Sequence, residues 1–260
     1  MRLTGKTAFI TGGNSGIGLA TAQLFIAEGA RVAITGRDQQ KLDRVAADLG
    51  PSVVAIQADA TDRVAMKRAV ETAVEQLGPL DILFANAGIA VHTPVTQDSI
   101  DAFEQVLKIN LTGVFTTIMA AEPHLNDGAS VIMTGSIIAT AGLPGYAAYA
   151  ASKAGVRAMA RTLASELATR SIRFNIVSPG PIKTPIWDAA APTPEAFEQF
   201  EKYASRGIPL ARLGEADEVA KTVLFLASDE SAYVQAADIA VDGGMNGAPS
   251  GALIYRQNGR

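Results

Sequence analysis

Cysteine is absent from this 260-residue chain, which excludes a disulfide framework, a thiolate metal site and a cysteine nucleophile. That absence fits a reducing compartment, and a cytoplasmic location is expected. Histidine is nearly absent too. His92 and His124 lie far apart with no carboxylate cluster near them, so no metal site is expected. No run approaches the ~18 consecutive apolar residues of a membrane span. Met1-Arg2-Leu3-Thr4-Gly5-Lys6 enters the first strand almost at once, leaving no room for a secretory leader. The net charge is only −4 and no basic block occurs, which argues against nucleic acid as a partner. What remains, 48% hydrophobic and 18% charged, suits one compact soluble domain.

The order of elements is regular. "TAFIT" leads to a helix over about Gly16–Glu28, stopped by Gly29. "RVAIT" leads to a helix stopped by Gly50-Pro51, and "SVVAIQ" to one stopped by Gly78-Pro79. "LDILFANAG" follows, then a helix over about 99–122, the strand "SVIMTGS", a helix over about 146–169 and the strand "IRFNIVSPG". A looser Ala- and Pro-rich segment, 181–209, comes next, then a helix from near Glu215 and a short strand around Ile239. Alternation of this kind reads as α/β: a single doubly wound Rossmann domain over 1–246, with a parallel sheet of about seven strands and helices on both faces. Segment 181–209 is expected to cross the carboxyl edge of the sheet, where ligands of such sheets bind. Residues 247–260 form a C-terminal tail, either frayed or docked on a neighbouring subunit.

Two stretches carry chemistry. "TGGNSGIG", Thr11–Gly18, puts four glycines into eight residues at the end of a strand. It is either a sharp strand-to-helix turn or a seat for phosphates, with backbone N–H groups and a helix N-terminus aimed at an anion. In "YAASK", Tyr149 and Lys153 lie four apart and share one face of a helix. Alone, the pair describes an exposed tyrosine beside a solvated lysine equally well. Ser136, at the end of "SVIMTGS", brings a third polar group to the same sheet edge.

"TGGNSGIG", "NAG" at Asn86–Gly88, Asn110 in "INLTGVF", Ser136, "YAASK" and "SPGPIKTP" occur in order and at the expected intervals. Together they resemble the short-chain dehydrogenase/reductase family in its common form of ~250 residues. The likeness runs from Gly5 to about Met245 and implies hydride transfer between a nicotinamide and a carbonyl or alcohol carbon. By that resemblance Tyr149 is the general acid in reduction and the base in oxidation, and Lys153 lowers its pKa and binds the nicotinamide ribose. Ser136 donates to the substrate oxygen, and Asn110 holds a water that links Lys153 to solvent. The cofactor is expected against Gly12, Asn14, Ser15, Gly16, Ile17 and Gly18 of the turn. Arg37, Asp59, Ala60, Asn86, Gly88, Tyr149 and Lys153, with Pro179, Gly180, Ile182 and Thr184, complete its site. Asp59 resembles the family's adenine contact, Asn86 would support the central strand, and Thr184 would hold the nicotinamide amide. For Asp59 and Asn86, ordinary turn capping is the competing reading.

Ile137, Ile138, Leu143, Tyr146, Ile186 and Trp187 gather in sequence around the catalytic positions and predict an apolar substrate pocket roofed by 181–209. An NAD enzyme of this architecture places Asp or Glu at the end of the second strand. Here Gly36 stands there, followed by Arg37, whose planar fork suits a phosphate, so NADP(H) is expected. Asp38 competes with that reading unless it caps the helix that starts at Gln39. The implied activity is that of a carbonyl reductase or alcohol dehydrogenase. A 3-oxoacyl-thioester (acyl-carrier-protein) reductase is the alternative, with Arg157 and Arg161 in a docking surface. A non-catalytic dinucleotide sensor is a third reading, disfavoured by the intact Asn110, Ser136, Tyr149 and Lys153. A homotetramer is expected from the resemblance, with helices 99–122 and 146–169 as candidate contacts. The family's usual Thr-Gly before the last strand is replaced by Val234-Gln235-Ala236-Ala237.

Overall fold

The computed structural model describes residues 1–188 and 190–248. The expected tail lies outside the described residues from 249 onward. Strand β1 (Thr7–Thr11) opens the chain and helix α1 (Gly16–Ala27) follows the glycine turn. Then come β2 (Arg31–Gly36), α2 (Gln39–Leu49), β3 (Val53–Gln57), α3 (Arg63–Leu77) and β4 (Leu80–Ala85). The second half holds α4 (Ile100–Leu107), α5 (Gly113–Ala121), β5 (Leu125–Thr134), α6 (Ala147–Glu166) and β6 (Arg173–Pro179). It finishes with β7 (Ile182–Lys183), α7 (Pro194–Ala204), β8 (Gly214–Glu215), α8 (Ala216–Ala227) and β9 (Asp238–Val241).

Seven of these strands form one parallel sheet in the order β3-β2-β1-β4-β5-β6-β9, and β7 pairs with β8 apart from it. The period of two along each strand decides which layer its side chains serve. Phe9, Leu83, Val131 and Phe174 face the layer of α3, α5 and α6. Ala8, Ile10, Ile34 and Phe84 face α1, α2 and α8. Each fully buried large side chain contributes about 1.5–3 kcal/mol. Helix starts are chosen by local carboxylates. Asp62 accepts from the Val64 and Ala65 amides at 2.9 and 3.0 Å, and Asp38 accepts from the Lys41 amide at 3.1 Å.

Two expectations need correction. Residues 99–122 do not form one α-helix: a π-helical turn, Lys108–Thr112, separates α4 from α5. Apolar periodicity continues through it, so the pattern could not reveal the extra residue in the turn. Segment 181–209 is more ordered than its composition suggests. Its Pro194 stands at the first position of α7, where proline is tolerated, and Thr193 caps that helix through the Ala196 amide at 3.2 Å.

The departure before the last strand has a structural answer. Ala236 adopts φ +55°, the left-handed region that favours glycine. Gln235 compensates: its Oε1 accepts from the Phe174 amide at 2.7 Å and its Nε2 donates to the Ile172 carbonyl at 3.1 Å. Ala236→Gly is expected to stabilise the protein by about 0.5–1 kcal/mol in urea denaturation, the relieved strain exceeding the added chain entropy. Destabilisation would show that the Ala236 methyl packs better than it strains.

Candidate active site

The strand order reverses between β1 and β4, so the chains leaving their carboxyl ends part there and open a crevice. The glycine turn occupies its floor. A side chain at Gly18 would put its Cβ 2.2 Å from the Gly12 carbonyl oxygen, so only glycine lets α1 start this close to β1. Gly16 has φ +51° and lies against Thr184, whose Cβ and Cγ2 would be 3.2 Å from an added Cβ. Ser15 precedes α1 without a side-chain cap, which leaves the first-turn amides of Gly16, Ile17 and Gly18 to an external acceptor. A helix N-terminus of this kind fits a pyrophosphate.

Asn86 ties three strand ends together. Its Nδ2 donates to the Thr11 carbonyl at 3.1 Å, and its Oδ1 accepts from the Thr134 hydroxyl at 3.1 Å. On the adenine side, Asp59 accepts from the Thr61 amide and hydroxyl at 2.8 and 2.9 Å, which is the local turn geometry. Burial pushes its carboxyl up, but the Thr61 hydrogen bonds and the Arg37 and Lys108 cations outweigh this and hold it below its usual value. Arg37 itself is exposed at the end of β2. Asp38 is engaged as the cap of α2. Ala60 is buried against Gly113, and Gly180 at the end of β6 donates its amide to the Val241 carbonyl at 3.0 Å. Pro179 closes β6, and Ile182 is buried in β7.

The catalytic candidates converge from three elements: the π-helical turn, the end of β5 and α6. The π-helical turn places the fully buried Asn110 against the chain after β4: its Oδ1 accepts from the Ile89 amide at 2.9 Å, and its Nδ2 donates to the Ile89 carbonyl at 2.8 Å. Nδ2 also approaches the Ser152 hydroxyl at 3.3 Å, and that hydroxyl donates to the Tyr149 carbonyl at 2.7 Å. Lys153 is only 3% exposed, and its Nζ donates to the Thr134 carbonyl at 2.8 Å and lies 5.6 Å from the centre of the Tyr149 ring. Gly88 sits against both groups, with Asn110 Oδ1 and Lys153 Nζ 3.2 and 3.6 Å from where its Cβ would be. Burial lowers Lys153 to about 8. Burial also pushes the Tyr149 phenol up, and the Ser136 hydroxyl beside it pulls the other way.

Several contributors escaped sequence reasoning. Thr134 receives the lysine, and its position two residues before Ser136 in extended chain was the available signal. Ser152 lies inside "YAASK". Thr93 is the least visible: its amide donates to the Gly145 carbonyl at 2.6 Å, and its hydroxyl caps the start of α6 by accepting from the Ala148 amide at 3.2 Å. Of the expected pocket residues, Ile138 and Tyr146 are half-buried, and Leu143 and Ile186 are exposed. Ile137 is buried. Trp187 turns into segment 181–209, its Nε1 donating to the Ile182 carbonyl at 2.7 Å and its ring 4.5 Å from Phe200. Lys183 fastens that segment through Glu201 of α7 at 2.8 Å and Glu215 of β8 at 3.3 Å. Among the described residues no cluster of three His, Asp or Glu that could hold a metal occurs, and no helix is long and apolar enough to cross a membrane.

Comparison with known proteins decides the family. A family model described as enoyl-(acyl carrier protein) reductase matches residues 12–246. The chain is 40% identical over 250 residues to a 3-oxoacyl-[acyl-carrier-protein] reductase of Thermotoga maritima, covering 94% of this chain and 99% of that one. It is 37% identical to an NADP-dependent (R)-specific alcohol dehydrogenase of Lentilactobacillus kefiri, over 94% of this chain and 97% of the relative. A solved short-chain dehydrogenase/reductase from Serratia marcescens superposes with a TM-score of 0.87 at 33% identity, covering 95% of this chain and all of that one. The chain belongs to the short-chain dehydrogenase/reductase family. Seen as a short-chain dehydrogenase/reductase, it carries the glycine turn, Asn110, Ser136, Tyr149 and Lys153 at one edge of a seven-stranded sheet.

The buried ammonium has a measurable signature. Because the folded pKa of Lys153 lies near 8 and the unfolded value is 10.5, the unfolded chain binds more protons between these pH values. This lysine therefore makes the ligand-free protein more stable as pH rises from 8 towards 10. Above that the raised Tyr149 pKa acts with the opposite sign. The gain in unfolding free energy from pH 8 to pH 10 is expected to be about 2 kcal/mol larger for wild type than for Lys153→Met. Equal gains would mean that the ammonium is solvated.

Proposed function

We propose that the protein is an NADP(H)-dependent oxidoreductase acting on ketones and secondary alcohols. The observation that carries this reading is the meeting of Ser136, Tyr149 and the buried Lys153 at the crevice edge. When bound, the nicotinamide supplies or takes up the hydride, and its oxidised ring adds a positive charge beside the phenol. Tyr149, with its pKa raised by burial in the free protein, is protonated at neutral pH and gives its proton to the carbonyl oxygen in reduction. Ser136 donates to the same oxygen as charge develops there. Lys153, cationic below about pH 8, stabilises the phenolate left behind. Reprotonation of that phenolate passes through Lys153 and water held near Asn110, close to the chain at Ile89.

The half-buried and exposed apolar groups Ile138, Leu143, Tyr146 and Ile186 favour an uncharged ketone over a dianion. The acyl-carrier-protein reading has support in the Thermotoga maritima relative. It needs a basic docking surface, and Arg157 is already paired with Asp238 at 2.9 Å, which leaves Arg161 exposed. NADP(H) is supported by the exposed Arg37, by the engagement of Asp38 in α2 and by the NADP-dependent alcohol dehydrogenase relative.

Three outcomes test these assignments. Tyr149→Phe keeps cofactor binding and loses at least about a hundredfold in kcat on neutral ketones, since the phenol proton is what the change removes. Retention of a tenth of the activity refutes the role. A panel of neutral ketones, dicarboxylic keto-acids and 3-oxoacyl thioesters shows the highest kcat/KM for the ketones; activity on the thioesters alone selects the other reading. Wild type prefers NADPH to NADH in kcat/KM, and Arg37→Ala shrinks that preference about tenfold or more by removing a charged phosphate contact. Equal use of NADH by wild type ends the NADP(H) assignment. We further propose a homotetramer whose contacts use α4, α5 and α6, where Phe115, Met119, Ala147, Ala151, Ala154 and Ala158 are exposed. Sedimentation at micromolar concentration shows a tetramer; a monomer alone contradicts it.

A further inference from the structure

Tyr149 sits where a helix is weakest. It is the third residue of α6, which begins at Ala147, and the opening hydrogen bond of that helix runs from the Ala150 amide to the Tyr146 carbonyl at 2.9 Å. Amides of a first turn have no partner inside their helix, and Tyr146 at the cap position offers no side-chain acceptor. The acceptor comes from 55 residues upstream: the Thr93 hydroxyl accepts from the Ala148 amide at 3.2 Å. Thr93 is only 3% exposed, and its own amide donates to the Gly145 carbonyl at 2.6 Å. These contacts pair Thr93 with Tyr146 as a short parallel bridge, and Pro94 biases Thr93 towards the extended backbone that a bridge needs. The His92 ring meets Tyr146 edge-on at 5.5 Å and fills the space where a side chain at Gly145 would stand. The other end of the same segment is fixed as well, since both backbone groups of Ile89 are bonded to Asn110.

We propose that Thr93 is a positioning residue for Tyr149, acting through the first turn of α6. This rests on the reading of Tyr149 as proton donor and deepens it. At an exposed helix start, water would replace a lost cap at little cost. Here Thr93 and Ala148 are both buried, so removing the hydroxyl leaves the Ala148 amide without an acceptor and the first turn free to open. Tyr149 then departs from the place where the Ser136 hydroxyl lies beside its phenol. Lys153 stays. It lies one turn deeper, is held by the Thr134 carbonyl at 2.8 Å, and is followed by Val156 and Ala160 in the core. The cap therefore governs proton transfer and leaves the cofactor site alone.

Valine keeps the branched shape of threonine without its hydroxyl, and serine keeps the hydroxyl without the methyl. Thr93→Val and Thr93→Ser are compared with wild type in single turnover, on whichever substrate of the panel above wild type uses best. NADPH or NADH, whichever binds wild type more tightly, is titrated by fluorescence, with thermal melting as the check on folding. Thr93→Val is expected to lose about tenfold in single-turnover rate, because a small misplacement of a reacting group is costly, while cofactor affinity changes less than about twofold. Thr93→Ser keeps at least about half the rate, serine being as good a cap as threonine. In a Tyr149→Phe background, where the proton donor is gone, Thr93→Val costs less than about twofold more. A wild-type rate in Thr93→Val overturns the proposal, as does a rate that follows the methyl, with the serine variant slow. Losses that multiply in the double variant overturn it, and so does an equal loss of cofactor affinity, since the whole site would then be damaged. If Thr93→Val does not fold, Thr93→Ala against Thr93→Ser makes the same comparison. Full activity in Tyr149→Phe, or no turnover by wild type on the whole panel, would instead overturn the functional reading itself, a different result.

Discussion

A lysine ammonium sits in the interior, held by a carbonyl oxygen and an aromatic ring, and much of the site is arranged around it. Burial brings Lys153 down to about 8, so that it loses its charge just above neutral pH. Its Nζ is held at 2.8 Å from the Thr134 carbonyl, at the carboxyl end of β5. That hydrogen bond depends on the seating of α6, which Thr93 caps and Ser152 ties to Asn110. Asn110 reaches Ser152 because the π-helical turn between α4 and α5 carries one residue more than an α-turn. Each residue of a helix turns the side-chain direction by about 100°, so an uninterrupted α-helix would aim residue 110 elsewhere.

The cofactor side obeys a different constraint, closeness of backbone to backbone. Gly12 and Gly18 approach so nearly that no Cβ fits between them, and Asn86 bolts the ends of β1, β4 and β5 beneath the turn. The result is a rigid concave edge that exposes amides and a helix N-terminus. Arg37 and Lys108 add positive charge around Asp59, which stays ionised among them. The segment after β6 is fastened separately, through Lys183 on Glu201 and Trp187 on the Ile182 carbonyl.

Much of this was legible in the chain, and the limits have physical causes. β-branched runs followed by glycine stops revealed the strands and the ends of α2 and α3, because parallel strands buried on both faces leave little choice of residue. Tyr149, Lys153 and Ser136 were visible because one helix face and one strand end suffice to bring them together. The π-helical turn was hidden, since inserting one residue leaves local composition unchanged. Thr93 was hidden because its work is done 55 residues away, on the Ala148 amide. The ring contact of Trp187 with Phe200 was hidden because Phe200 lies on α7, a helix that the Ala- and Pro-rich composition concealed.

The strand order also bears on how the molecule is made. β1, the glycine turn and α1 all lie within the first 27 residues, and β1 is an interior strand of the sheet, between β2 and β4. Tyr149 comes 138 residues after Thr11, a delay of roughly 7–28 s at ribosomal speeds of about 5–20 residues per second. No contiguous short fragment holds both halves of the chemistry. The helix that carries Tyr149 and Lys153 therefore leaves the ribosome long after the glycine turn, and β6, α8 and β9 follow it.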